Sequence, residues 1–108
     1  MVRFRQQIFA LLLAALFFAC QQERVHFSAQ VKPILNKRCI SCHGGVKQNG
    51  GFSVLFREEA LDSTDSGKPA IVPGDPNHSE MIRRITATDP QVRMPYKEEP
   101  LTTEEIRI

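Results

Sequence analysis

Residues Cys39-Ile40-Ser41-Cys42-His43 hold two thiols three positions apart with an imidazole directly behind them, and no other stretch restricts the fold of this chain so tightly. On one turn of helix, positions i and i+3 point to the same side. Both sulfurs can therefore form thioethers with the two vinyl groups of a single haem, the attachment pattern of a c-type haem. His43 is then expected to offer Nε2 to the iron, while its other ring nitrogen needs a backbone carbonyl or similar acceptor to fix the tautomer. A disulfide, a zinc half-site and a thioredoxin-like redox pair are the competing readings of the same five residues. A structural zinc site takes four ligands, yet the only other cysteine is Cys20 and the remaining histidines, His26 and His78, stand alone. A redox pair belongs between a strand and a helix of a βαβ unit, and no apolar strand precedes Cys39.

Covalent haem attachment takes place outside the bacterial cytoplasm, and the first residues fit such a destination. Arg3 and Arg5 precede an uncharged apolar run from Ile8 to Ala19, the pattern of a signal peptide. Twelve residues are too few to cross a hydrocarbon core of roughly 30 Å comfortably, so a transmembrane helix is the weaker reading. Ala19 directly before Cys20 is similar to a bacterial lipoprotein processing site, although Phe17 stands where leucine is preferred and Leu16 is one place early. The expected division is a signal segment over 1–19, an anchor and tether over 20–26 with lipidation at Cys20, and a domain over 27–108. The expected location is the periplasm or cell surface, on a membrane. A tether of six residues spans at most about 20 Å, which keeps the domain near the lipid face.

Removal of residues 1–19 leaves equal numbers of acidic and basic residues, so the mature chain is near neutral. Nucleic acid is not an expected partner: that would call for basic stripes with interleaved aromatics, and the chain has no Trp and one Tyr.

Apolar spacing outlines a mainly α domain with long loops. Phe27, Val31, Ile34 and Leu35 predict a helix over 28–38 with Ser28 as its cap, and Pro33 either kinks it or marks the first turn of a shorter one. Gly44-Gly45 is expected to end the helical turn of the motif, and Gly50-Gly51 to mark a close backbone approach or a plain turn. Glu58 to Leu61 reads as a short helical turn. Residues 69–78 hold three prolines and form an extended segment, after which Asp75 with Pro76, or Ser79, starts a helix with Met81, Ile82 and Ile85 as its apolar stripe. Thr102 with Glu105 forms a capping box behind Leu101. The last helix stops at Ile108 after fewer than two turns, so the chain reads as truncated.

A low-spin electron-transfer haem needs a sixth ligand, and Met94, Met81, His26 and His78 are the candidates. Met94 is best placed, since the residue before a proline favours extended backbone and a flexible thioether on a loop can cross a haem face. It stands 51 residues beyond His43, far enough to wrap the ring. Met81 shares the spacing of Ile82 and Ile85 and reads as core; His78 sits in a polar turn.

Taken together, Phe27, Val31-Lys32-Pro33-Ile34-Leu35, Cys39 to Gly44, Gly50-Gly51-Phe52, Ala70 to Pro76, Ser79, Ile82-Arg83-Arg84-Ile85, Arg93-Met94-Pro95 and Leu101-Thr102 resemble the planctomycete-type cytochrome c domain over nearly all of residues 27–108. The resemblance implies a small cytochrome c-like helical domain wrapped around one covalent haem c with its iron. It implies Cys39 and Cys42 as thioether attachments, His43 as proximal ligand and Met94 as distal ligand. The Trp-Ile-x-x-Gly-Ala ending usual in the family is absent.

The function expected is an exported electron carrier that serves redox proteins and takes no small-molecule substrate. The alternatives are a haem peroxidase, which needs an open distal position with acid and base groups, and a redox module of a larger protein. Apolar burial alone is marginal for the 88 residues that follow Cys20, and a haem would supply core much as metals or disulfides do elsewhere. Haem-free protein is therefore expected to show no cooperative thermal transition in calorimetry.

Overall fold

The computed structural model describes Met1 and residues 24–108. The signal segment expected over 1–19, the lipidation candidate Cys20 and tether residues 21–23 lie outside the described residues.

Phe27–Val31 form one wide π turn that runs on into helix α1, Lys32–Arg38. The Lys32 N–H reaches back five residues to the Phe27 carbonyl, so the backbone is already widened where Pro33 arrives with no N–H to give. Pro33 thus sits in the first turn of α1 without ending the helical path. Ser28 is not its cap: the stretch starts at His26, whose N–H donates to Gln30 Oε1 at 2.8 Å.

The haem-type motif follows α1 as a separate turn, not as regular helix. Cys39 has left helical geometry with φ −125°, and the Cys42 and His43 N–H groups both return to its carbonyl at 3.2 and 3.0 Å. Strand β1, His43–Gly44, then pairs antiparallel with β2, Lys47–Gln48, placing His43 opposite Gln48. Of the two glycines expected to stop the turn, Gly45 does take the left-handed conformation. Gly44 is needed for room, because a Cβ there would lie 2.9 Å from the Ile40 carbonyl oxygen and closer still to its side chain.

A 3-10 turn over Asn49–Gly51 and helix α2, Arg57–Leu61, lead into a long loop. The close approach expected at Gly50-Gly51 is made to that loop: Asp65 N–H donates to the Gly50 carbonyl at 2.8 Å, and a side chain on Gly51 would collide with the Asp65 carboxylate. Farther on, Pro76–His78 form a 3-10 turn and Glu80–Ile85 form α3. Both expected starters act, differently. Asp75 caps the 3-10 turn, whereas the Ser79 hydroxyl turns back to accept the Val72 N–H and donate to the Asp75 carbonyl, each at 2.9 Å.

Helix α4, Thr103–Arg107, carries the predicted capping box: Thr102 Oγ1 accepts the Glu105 N–H at 3.1 Å and Glu105 Oε2 accepts the Thr102 N–H at 2.8 Å. The other Glu105 oxygen faces Arg38 at 3.7 Å. Arg38 also donates to the carbonyls of Glu99 and Pro100 at 2.7 and 2.8 Å. The end of α1 is thereby strapped to the segment that enters α4.

Little apolar surface is fully withdrawn from water. Among the described residues, Ala70 and Leu101 are the only buried hydrophobic ones, while Phe27, Phe56 and Val46 stand exposed. The buried set is otherwise polar: Ser53, Ser79 and Glu80. Glu80 is 7% exposed and meets two cations, Arg83 Nε at 2.7 Å and Arg84 Nε at 2.9 Å. The Arg83 hydrogen bonds, with those of Arg84, outweigh burial and hold the Glu80 carboxyl down at about 2.

A carboxyl depressed in the folded state stabilises the fold above its unfolded value and ceases to do so as pH falls through its folded one. The Glu80 contribution is present above about pH 4.5 and disappears toward pH 2. Glu80→Gln should cost about 1–3 kcal/mol at neutral pH, the range for stranding buried charged partners. The gap between variant and parent should narrow across that acid window in denaturant unfolding followed by circular dichroism.

Candidate functional site

The turn of Cys39 to His43, the 3-10 turn at Asn49–Gly51, helix α3 and the loop at Met94 enclose a cavity of about 360 Å3. That lies within the 300–1,000 Å3 range of small-molecule and cofactor sites. Its apolar wall includes Phe52, Ala70, Met81, Ile85 and Met94. A second cavity of about 200 Å3 adjoins it, sharing Cys39, His43, Ile85 and Met94 and adding Cys42 and Leu101.

His43 is fixed by backbone. Its Nδ1–H donates to the Phe52 carbonyl at 3.2 Å, and its ring packs tilted against the Phe52 ring with centroids 5.3 Å apart. The chain between these residues is itself pinned, since the Asn49 N–H donates to the Cys42 carbonyl at 3.1 Å and the Val54 N–H to the His43 carbonyl at 2.7 Å. With Nδ1 occupied, Nε2 carries the lone pair of the neutral ring. Here is the acceptor that residue types alone could not name. A main-chain carbonyl has no sequence signature, although the Gly50-Gly51-Phe52 run marks the turn that delivers it.

Cys39 and Cys42 are not joined in a disulfide. Cys39 is half-buried and Cys42 exposed. Burial pushes the Cys39 thiol up despite the opposing pull of Arg38. The motif residues thus share one wall, with Cys39 and His43 on both cavities and Cys42 on the smaller.

Met94 reaches this wall by a short chain of backbone bonds. Asp89 folds the preceding turn, its Oδ1 accepting the Gln91 N–H at 2.8 Å and its carbonyl the Arg93 N–H at 2.8 Å. The Met94 N–H then donates to the Arg84 carbonyl at 3.0 Å, hanging the methionine from the end of α3. The Met94–Pro95 peptide is cis. Met94 lines both cavities; Met81 lines the larger one alone. The spacing of Met81 with Ile85 does mark an inward face of α3, and that face looks onto the cavity.

The histidine candidates lie elsewhere. His78 is exposed and bonded through Nδ1 to Asp75 at 2.6 Å, and the exposed His26 begins the first helical stretch. Neither lines either cavity. Three charged residues that motif reasoning passed over do line the larger one, Asp65, Glu80 and Arg84. The Arg83-Arg84 doublet was visible in the sequence, but its pairing with Glu80 three and four residues back needed the helix.

Among known proteins, the family model described as Planctomycete cytochrome C matches residues 39–98, from the first motif cysteine past Met94. No curated protein and no solved structure matches the chain. The match covers more than half of the 108 residues and takes in every cavity-lining residue named above except Leu101. With the haem-binding, electron-transfer role that such membership carries, the chain belongs to the Planctomycete cytochrome C family.

Proposed function

We propose that this protein is an exported c-type cytochrome that carries one covalently bound haem and passes single electrons between redox proteins. The observation that supports this most directly is the convergence of Cys39, His43 and Met94 on one apolar cavity. The residues present fit the group: two thiols free of any disulfide stand at i and i+3, an imidazole keeps Nε2 free by spending Nδ1–H on the Phe52 carbonyl, and Met94 supplies a thioether. Cys39 and Cys42 would hold the ring through two thioethers, with His43 and Met94 as axial ligands. The bound haem supplies a reversible ferric/ferrous couple, and a thioether ligand favours the ferrous form.

The remaining work falls to the polypeptide. The Phe52 carbonyl orients His43, the Arg84 carbonyl holds the Met94 backbone, and Phe52, Ala70 and Ile85 give the cavity an apolar wall. Met94 is preferred to Met81 as ligand because it alone of the two borders both cavities beside the motif. Attachment to a membrane through a lipidated Cys20, in the periplasm or at the cell surface, completes the proposal; the signal-like residues 1–19 support it. Such a module can also serve within a larger oxidoreductase.

Protein matured in an export-competent host should give a pyridine haemochrome spectrum of the two-thioether type. Colourless protein, or pigment extracted by acidified organic solvent, would overturn the assignment. In the matured protein, Met94→Ala should abolish the weak iron-sulfur charge-transfer band, and Met81→Ala should retain it. The reverse pattern would move the distal role to Met81.

A further inference from the structure

We infer that Arg84 receives one of the two propionate carboxylates of the haem, held ready for it by Glu80. The inference rests on the haem reading above and adds to it the place where the ring's negative charge is met.

Among the described residues, Arg84 is the only Lys or Arg that lines the larger cavity. Its Nε donates to Glu80 Oε1 at 2.9 Å, which pins the guanidinium, while Nη1 makes only a long contact of 3.4 Å with the Val92 carbonyl. No described residue takes the Nη2 protons. The side chain is 34% exposed, so the fork is neither sealed in nor loose in solvent. Glu80 does not cancel its charge, because the single carboxylate is shared with Arg83, which binds it through Nε at 2.7 Å and through Nη2. Two cations and one anion leave the cluster a net positive charge beside the cavity.

A carboxylate on a planar apolar ring is well matched to a planar fork with N–H groups to spare. Of the other polar groups on the wall, those on the loop at residues 64–66 offer less. Thr64 and Ser66 hydroxyls bond each other at 2.8 Å, and Thr64 is also engaged by the Lys68 carbonyl. Between them stands Asp65, whose own negative charge repels a second carboxylate. Arg84 has a further consequence for the site, since its carbonyl accepts the Met94 N–H. Propionate contact and placement of the proposed distal ligand would meet in one residue. A positive charge held on the cavity wall would disfavour the ferric state of a bound haem, so this contact would also raise the reduction potential.

The test uses matured holoprotein, with the haemochrome spectrum showing first that the haem is attached. Arg84→Gln is expected to shift the propionate bending band in resonance Raman spectra and to lower the midpoint potential. Arg57→Gln removes the same charge from an exposed position on α2 that lines neither cavity, and should leave the propionate band in place. An unchanged band in Arg84→Gln, or an equal shift in Arg57→Gln, overturns the inference while leaving the haem assignment standing; absence of attached haem from the parent protein overturns the earlier assignment instead. Should Arg84→Gln fail to accumulate, Arg84→Lys decides: it keeps the charge but loses the fork, so the band should move partway, and no movement overturns the inference.

Discussion

Burial of apolar surface around the adjoining cavities at the Cys39–His43 turn is the constraint on which this fold depends. Ala70 and Leu101 alone cannot drive a domain of this size to collapse, and the helices that surround them are only five to seven residues long. Isolated helices so short are unstable in water. The inward residues of α3, Met81 and Ile85, line the cavity. A large flat apolar group bound there would turn a thin lining into a core, and two covalent links would remove its freedom to leave. Fold and proposed cofactor are on this view one problem with one solution.

Polar contacts do the positioning that apolar packing is too sparse to do. One is long in sequence, Arg38 to the segment before α4; two are shorter, the Phe52 carbonyl to His43 and the Arg84 carbonyl to the Met94 N–H. Each of the last two fixes one member of the proposed haem site against a neighbouring element. Ser79 plays a similar part for the loop between Ala70 and α3, which brings the buried Ala70 and Glu80 together through main-chain bonds from the Glu80 N–H to Pro69 and the Met81 N–H to Ala70.

Features whose physics is local were legible in the sequence. The Thr102/Glu105 box closes within one turn and appears as read; the short helix near Glu58–Leu61 likewise depends on neighbours a few positions away. Ser28 and Ser79 show the limit. Both carry the right hydroxyl for a cap, but Gln30 serves the first helix start and the loop at Val72 and Asp75 claims the Ser79 hydroxyl. Spacing likewise identified the inward face of α3 without disclosing that it borders a cavity. The proposed ligands His43 and Met94 were readable because motif and proline context belong to them directly, whereas the Phe52 carbonyl and the Glu80 cluster arise only once distant segments meet.

The strap between Arg38 and residues 99 and 100 has an evolutionary corollary. Its shortest contacts are to main-chain oxygens, which every amino acid supplies. Drift in side-chain identity at those two positions is therefore tolerated so long as the backbone follows the same course, while Arg38 itself is not interchangeable with a residue lacking a forked donor. Homologous chains can thus diverge in this stretch and still close the domain in the same way, leaving one arginine as the trace of a joint whose other half is written in no alphabet.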